Sequence, residues 1–363
     1  MTHRFSHLCS RRDFTRLLLG TATAGLMPSG RGLAAPTAAT TTASTTTGTQ
    51  LDQPFVMDVH IHMAQPGERP RSEILAELYR PWKYVYGANG EWIPKPTDLT
   101  PTAEDLIKVM DRGGIDVAVV MPSDHARVAK LEGHWIPSTS NDYIAEQVRQ
   151  FPERLIGICG HDPLRDHWKA PLELERMVKE HGFRGMKLYP PYDHFDPYDE
   201  RLFPLYEKAI ELDVVMTFHT GWTPWVNAPI KFGKPELVDP VGARYPELKV
   251  NLAHIGGASW WREAVLVTAR HKNFTMDVSS WCTYPPSDLV AMLNLARDLV
   301  GLDRVLFGSE HTLCDPGIFV AEVRNINLFA ERYHFPPFED QDIRRILGEN
   351  AARVYGIEAK KRM

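Results

Sequence analysis

The sequence is poor in cysteine and carries no marked excess of charge of either sign. Only 4 of its 363 residues are cysteine, and their number and wide spacing argue against a disulfide scaffold or a Cys-x-x-Cys zinc site. The formal net charge is −5 at pH 7, which gives no support for nucleic acid or an anionic membrane as a partner. No segment after the N-terminal region is long and apolar enough to span a bilayer.

The first 53 residues have the composition of an export signal and a linker. Ser10-Arg11-Arg12-Asp13-Phe14 resembles the twin-arginine export pattern, and a short, mildly apolar run follows it. We therefore predict a cleavable signal over residues 1–35, a Thr- and Ala-rich linker over 36–53, and a folded domain over 54–358. The mature protein is predicted to be periplasmic or secreted and to keep no membrane span.

The first strand-like run after the linker contains Asp58-Val59-His60-Ile61-His62. Period-two spacing on a β-strand turns Asp58, His60 and His62 to one face and the apolar residues to the other. Two imidazoles and a carboxylate on one face are typical of a strand that holds a divalent metal at its end.

Eight β-rich runs alternate with amphipathic stretches, which predicts a parallel sheet with right-handed crossovers. We predict an α/β fold, a single distorted (β/α)8 TIM barrel; an open doubly wound sheet is the alternative, but no Gly-rich phosphate turn follows any run. The predicted strands are Phe55–His62, Asp116–Met121, Leu155–Gly160, Gly182–Tyr189, Asp213–His219, Leu248–His254, Asn273–Ser279 and Arg304–Glu310. The predicted helices are Ala103–Arg112, Ser140–Phe151, Pro171–His181, Leu202–Leu212, Trp260–His271 and Ser287–Val300.

Histidines and carboxylates stand at several of the predicted strand ends, including His219, His254 and Glu310. Active sites of TIM barrels form where the C-terminal ends of the strands meet. We therefore predict one metal site at the C-terminal mouth of the barrel.

Ordered motifs over residues 55–357 resemble the amidohydrolase superfamily, in the branch that includes aminocarboxymuconate-semialdehyde decarboxylase. Besides Asp58-x-His60-x-His62, the motifs are Gly185-Met186-Lys187-Leu188-Tyr189, His219-Thr220-Gly221, His254-Ile255-Gly256-Gly257, Phe307-Gly308-Ser309-Glu310 and Ile346-Leu347-Gly348-Glu349-Asn350-Ala351-Ala352-Arg353. The resemblance implies a distorted barrel with a divalent metal, usually zinc, in its mouth.

The resemblance also implies individual roles. His60, His62 and His219 resemble the metal ligands of the family, and His254 resembles a histidine that contacts substrate or water. Glu310 stands where most members have Asp. Its longer side chain can reach a metal and can also act as a base.

The same residue types support this chemistry without the resemblance. Imidazoles and one carboxylate suit Zn²⁺, with Mn²⁺ or Fe²⁺ as alternatives. We predict that Glu310 binds the metal and takes a proton from water, and that His254 stabilises charge on the substrate or passes a proton. Asp58 is either a further ligand or, as we favour, a carboxylate that fixes an imidazole tautomer.

Lys187, Tyr189, Trp222 and Trp82 are the predicted substrate-binding residues. For Lys187, a contact with a substrate anion and a structural ion pair remain alternatives. The aromatic residues of the long segment Met63–Pro101, with Trp82, and of the loop after His219, with Trp222, either pack over the barrel rim or form a wall over a planar substrate.

These features predict a metal-dependent hydrolase that directs water onto a small carboxylated cyclic or aromatic carbonyl substrate. The first alternative is a lyase, either a non-oxidative decarboxylase or a hydratase, at the same metal. The second is a metal-bound binding protein without turnover. The partner is a small molecule, and the family resemblance leaves a homodimer open.

Overall fold

The computed structural model describes residues 53–63, 65, 102–123, 139–223, 225–311, 313 and 315–361. The chain divides into two units, Met1–Gln53 and Pro54–Met363, and of the first unit only Gln53 is described. The predicted signal and linker therefore lie outside the described residues and stay predictions. Among the described helices, none has both the length and the apolar character that crossing a membrane requires.

Eight short parallel strands alternate with helices along the second unit. Each strand is buried along nearly all of its length, as expected for a parallel sheet covered on both faces. The third strand is interrupted at Ile158. The strands are β1 Met57–His62, β2 Val117–Met121, β3 Leu155–Gly157 with Cys159–Gly160, β4 Gly185–Leu188, β5 Val215–His219, β6 Lys249–Ala253, β7 Phe274–Asp277 and β8 Val305–Leu306.

The longer helices connect the strands and carry local signals for their ends. The first begins after Thr102, whose hydroxyl accepts a hydrogen bond from the amide of Asp105, and ends at Gly114 with φ 72°. The helices are α1 Ala103–Gly113, α2 Asn141–Gln150, α3 Ala170–His181, α4 Pro190–Asp193, α5 Phe203–Glu211, α6 Asp239–Arg244, α7 Gly257–Arg270, α8 Pro286–Leu299, α9 Pro316–Arg324, α10 Ile326–Arg332, α11 Asp340–Arg344 and α12 Asn350–Tyr355, with a π-helical turn over Arg345–Glu349 before α12.

Backbone hydrogen bonds join the first strand to the segment that follows the last. The strands form two hydrogen-bonded sheets, which meet within β3. On the other side, the amide of Val59 donates to the carbonyl of Phe307 over 2.9 Å, and the amide of Glu310 donates to the carbonyl of His60 over 3.0 Å. Ile61 also forms a parallel bridge with His311. We call the contact between β1 and residues 307–311 the closing seam.

The C-terminal helix α12 packs beneath this seam. Ala351, Ala352 and Tyr355 share a buried apolar cluster with Met57 and Val59 of β1. Burying these side chains away from water stabilises the start of β1, and it leaves the alternate side chains of that strand free to face the barrel mouth.

The sequence prediction of eight strands and six connecting helices in this order is confirmed. The largest difference is the eighth strand, which is predicted over Arg304–Glu310 and ends at Leu306. Residues 307–311 keep hydrogen bonds to β1, but Glu310 takes a left-handed backbone conformation with φ 59°, and this ends the regular strand.

Candidate metal centre

The end of β1 brings two imidazoles to the mouth of the barrel. His60 is fully buried and His62 is 4% exposed, while Val59, which precedes His60, packs into the apolar cluster on the other face. His62 Nδ1 lies 3.1 Å from the hydroxyl of Ser123. The predicted alternation of polar and apolar faces on this strand is therefore present.

The carboxylate of Glu310 lies between three imidazoles. Its Oε2 is 3.0 Å from His60 Nε2, and its Oε1 is 3.4 Å from His62 Nε2. His254 Nδ1 lies 3.6 Å from Oε2. Burial acts to raise the pKa of Glu310, but the neighbouring His60, His254 and His62 outweigh it and hold this pKa well below its usual range. The carboxylate is therefore ionised at neutral pH.

His254 and His219 form a neutral imidazole pair. His254 Nε2 is 3.0 Å from His219 Nδ1, and the rings are 4.5 Å apart at 64°. Burial lowers the pKa of His254 to about 3 and that of His219 well below its usual value. His219 Nε2 is buried and has no hydrogen-bond partner among the described residues. A buried nitrogen left in this way is suited to a metal ion.

His60, His254 and Glu310 each offer a ligand atom, and these atoms lie within 4.8 Å of one another. The predicted ligand set of His60, His62, His219 and Glu310 shares two members with this group. The third member of the group is His254, for which the sequence analysis predicts a contact with the substrate and not with the metal. His62 touches Glu310, and His219 touches His254, so all five residues meet at one site. Nitrogen and carboxylate donors that converge in this way fit a divalent cation such as zinc.

Asp277, at the end of β7, is a buried carboxylate that the sequence analysis assigns no role. Its Oδ2 accepts a hydrogen bond from Asn251 over 2.6 Å and lies 3.5 Å from His60 Nδ1. Its Oδ1 accepts from the amides of His254 and Ser279 over 3.2 and 3.0 Å. Burial alone would raise the pKa of Asp277, but the neighbouring His60 and His254, with Lys187, lower it below its usual value. The only available signal was its position at a strand end.

Asp58 binds backbone amides. Its Oδ1 accepts hydrogen bonds from the amides of His60 and Ser309, each over 3.0 Å. Burial raises the pKa of Asp58 to about 7. The side chain therefore ties β1 to residue 309 across the closing seam, and the carboxylate near His60 Nδ1 is that of Asp277.

Lys187 and Tyr189 reach the same site from β4 and its end. Lys187 is fully buried, and its Nζ lies 3.2 Å from His60 Nε2 and 5.5 Å from the ring centre of Tyr189. The hydroxyl of Tyr189 donates to the carbonyl of Pro122 over 2.8 Å. The ammonium group of Lys187 thus lies beside the metal-binding nitrogens.

Aromatic side chains from two loops stand near His254. The indole N–H of Trp222 donates to the hydroxyl of Tyr284 over 2.5 Å, and that of the fully buried Trp281 donates to the carbonyl of His254 over 2.8 Å. Trp222 is half-buried, which leaves part of its ring accessible. The predicted Trp82 and the long segment around it lie outside the described residues.

Known proteins resemble the chain in sequence and in fold. A 2-keto-4-carboxy-3-hexenedioate hydratase from a Sphingobium species is 28% identical over 246 residues, which cover 58% of this chain and 69% of the hydratase. A gamma-resorcylate decarboxylase from a Polaromonas species is 27% identical over 207 residues, which cover 47% of this chain and 62% of the decarboxylase. The structure of an uncharacterized TIM-barrel protein from Bordetella bronchiseptica matches with a TM-score of 0.59 and 18% identity, covering 83% of this chain and 99% of that one.

The family model described as Amidohydrolase matches residues 57–357. The match therefore includes all eight strands and every residue of the metal centre. The Sphingobium and Polaromonas proteins named above are enzymes. The fold of the chain agrees with the solved TIM-barrel structure from Bordetella bronchiseptica. The chain belongs to the amidohydrolase family of metal-dependent enzymes.

Proposed function

We propose that this protein is a metal-dependent hydratase, which adds water to or removes water from a small unsaturated carboxylic acid. The observation that carries the proposal is Glu310, an ionised carboxylate that touches His60, His62 and His254. Hydration needs a base beside the water, and a glutamate can extend further into a site than aspartate can. The similarity to the Sphingobium hydratase supports this choice.

The metal centre is the second part of the proposal. His60 and Glu310 would hold the ion, together with an imidazole nitrogen from the His219–His254 pair, and zinc is the metal that this nitrogen-rich set favours. Manganese and iron remain alternatives. A divalent ion bound there would supply Lewis acidity, which lowers the pKa of water or polarises a carbonyl oxygen of the substrate.

Three side chains of this protein have the remaining roles in the proposed reaction. Glu310 accepts the proton of the water whose oxygen bonds to one carbon of the double bond, and it returns that proton to the other carbon, so that one molecule of water is added. His254 interacts with the substrate oxygen on which negative charge develops. Lys187 offers a buried ammonium group to a substrate carboxylate. Because Lys187 is already out of water, it can donate a charge-assisted hydrogen bond to that carboxylate without losing further hydration of its own.

Decarboxylation is the second candidate, and the Polaromonas decarboxylase is the observation that favours it. The same site serves hydrolysis of a lactone or amide, as the sequence analysis predicts, because that reaction also needs water and a base. The three reactions differ in their products. Hydration adds water without breaking the carbon skeleton, hydrolysis opens a bond, and decarboxylation releases carbon dioxide.

A substrate screen separates these reactions. Purified protein with measured zinc content is incubated with unsaturated di- and tricarboxylic acids, dihydroxybenzoic acids and lactones in oxygen-18 water. We expect one added oxygen-18 atom, loss of the conjugated absorbance and no carbon dioxide from an unsaturated acid. Carbon dioxide release from a dihydroxybenzoic acid assigns the decarboxylase instead, and the absence of turnover with every unsaturated acid contradicts the hydratase proposal.

Export by the twin-arginine route is a separate proposal. It is supported by Ser10-Arg11-Arg12-Asp13-Phe14 and by Cys282, which is disulfide-bonded, since disulfides persist outside the reducing cytoplasm. Replacing Arg11 and Arg12 by Lys is expected to keep the protein in the cytoplasm of a bacterial host. Unchanged recovery of the double variant from the periplasm contradicts the proposal.

A further inference from the structure

The hydroxyl of Ser279 contacts three site residues at once. It lies 2.8 Å from His254 Nδ1 and 3.0 Å from His60 Nδ1, and it donates its hydrogen to Asp277 Oδ1. Ser279, Asp277 and His60 are all fully buried. A water molecule has little room to supply an alternative partner at any of these atoms.

The chemistry of these groups fixes where the hydrogens lie. The carboxylate of Asp277 only accepts hydrogen bonds, so the single hydrogen of the Ser279 hydroxyl goes to it. The two lone pairs of the hydroxyl oxygen then remain for His254 and His60. Both imidazoles must donate an Nδ1–H to this oxygen, because a neutral imidazole carries one hydrogen and a bare Nδ1 there would face a second acceptor.

This hydrogen placement determines the other nitrogen of each ring. His60 is left with a lone pair on Nε2, which can accept from the ammonium group of Lys187 at 3.2 Å. Glu310 Oε2 lies 3.0 Å from the same nitrogen, and a carboxylate oxygen beside a bare nitrogen is the arrangement of two ligand atoms that share one cation. His254 is left with a lone pair on Nε2, which accepts from His219 Nδ1–H at 3.0 Å. His219 then carries its own lone pair on Nε2, the buried nitrogen without a hydrogen-bond partner among the described residues.

We propose that Ser279, held by Asp277, is a positioning residue that sets the tautomers of His60, His254 and His219 and so decides which imidazole nitrogens bind the metal. The nitrogens it leaves for the ion are Nε2 of His60 and Nε2 of His219. His254 then orients His219 and does not bind the metal through Nδ1. The inference rests on the metal binding of the proposed function and is independent of the reaction.

The first test reads the tautomers directly. Nitrogen-15 histidine labelling of the metal-free protein, with long-range proton–nitrogen spectra, distinguishes protonated from bare ring nitrogens. We expect Nδ1–H and bare Nε2 in His60, His254 and His219, assigned by single His→Gln variants. In Ser279→Ala we expect His254 and His219 to show a mixture of both tautomers. A wild-type spectrum with Nε2–H in His60 or His254 overturns the proposal.

The second test measures metal affinity by competition with a chelator. Loss of a group that orients a metal ligand typically weakens affinity about 10- to 100-fold, and we expect this for Zn²⁺ in Ser279→Ala. Thr268→Val is the matched control, since it removes another fully buried hydroxyl, one in α7 without a hydrogen-bond partner among the described residues. We expect it to bind Zn²⁺ as the wild type does.

The outcomes separate this proposal from the proposed function. Ser279→Ala with wild-type tautomers and wild-type affinity overturns the positioning role. A wild-type protein that binds no divalent metal contradicts the proposed function, while the tautomer spectra still decide the role of Ser279. Asp277→Asn gives a second variant, in which the amide group can donate to the Ser279 hydroxyl, and we expect the same mixture of tautomers from it.

Discussion

Single residues with left-handed backbone surround the metal centre. His254 has φ 65°, Ile255 φ 46°, Ser280 φ 59° and Glu310 φ 59°, and a non-glycine residue in this region costs about 1–2 kcal/mol. Such strain persists only where neighbouring contacts hold it. For Glu310 these contacts are the hydrogen bond from its backbone amide to the carbonyl of His60 and the contacts of its carboxylate with three imidazoles.

The base role of Glu310 gives a prediction at this scale. Glu310→Gln keeps the shape of the side chain but cannot accept a proton, and we expect kcat to fall about 10²- to 10⁴-fold in protein that retains metal. Metal content and turnover are measured on the same preparation. Glu180→Gln, at an exposed position of α3, is the control and should leave both unchanged. Full activity of Glu310→Gln removes the base role.

The half-buried indole of Trp222 gives a second residue-scale prediction. Its ring is held by the bond to Tyr284, so we expect Trp222→Ala to raise KM about tenfold by removing an aromatic contact to the substrate. Metal content should be unchanged. Trp168→Ala removes an indole that is 60% exposed on the surface and should not alter KM. Loss of metal in Trp222→Ala assigns the indole to the framework of the site.

At the scale of elements, α12 holds the start of β8 through one side chain. The buried amide of Asn350 donates to the carbonyls of Leu302 and Val305, each over 2.8 Å. These carbonyls lie just before and within β8, which has only two residues of regular strand. Because the strand is so short, the side chain of Asn350 supplies hydrogen bonds to backbone carbonyls that a longer strand would form with its neighbours.

Asn350→Ala is therefore expected to lower the free energy of unfolding by about 1–3 kcal/mol, because two carbonyls lose their donor in a buried place. Urea unfolding followed by fluorescence measures this value. Asn325→Ala removes an exposed amide that bonds a single carbonyl, and we expect a change below about 0.5 kcal/mol. Equal effects of the two substitutions contradict the anchoring role of Asn350.

At the scale of the whole molecule, the metal centre draws its residues from strand ends all around the barrel. His60, His219 and Glu310 come from the first, fifth and eighth strand segments. An ion bound among them therefore links distant parts of the chain. Since the folded state alone assembles this set, metal binding must stabilise the entire domain.

Removal of the metal should consequently lower the melting temperature. Free metal at 100 times its dissociation constant contributes about 2.7 kcal/mol. For the unit Pro54–Met363 this corresponds to a shift of roughly 4 °C, at about 2.1 cal/mol/K of unfolding entropy per residue. Differential scanning calorimetry before and after dialysis against a chelator measures the shift. The same dialysis should have little effect on Glu310→Ala. An unchanged melting temperature of the wild-type protein contradicts the metal centre.

The sequence allowed prediction of the strand order and of the residues that meet at the mouth, because period-two polar faces and polar strand ends leave local patterns. The role of Asp277 left no such local pattern. Its partner His60 is 217 positions away, and a single carboxylate at a strand end gives the same sequence signal whichever residue it contacts. The backbone conformation of Glu310 is also set by the closing seam. The helices from α9 to α12 gave weaker patterns and were not predicted individually.

The closing seam has a consequence for the synthesis of the protein. A ribosome releases His60 early and Glu310 only near the end. Within the described part of the chain, the edge of β1 opposite β2 has its backbone partners in residues 307–311. Contacts between such distant positions form late and slow the folding of a domain. A nascent or truncated chain thus holds histidines without the carboxylate beside them. Assembly of the complete set of metal-binding residues therefore requires that residues 307–311 have been synthesised and have paired with β1.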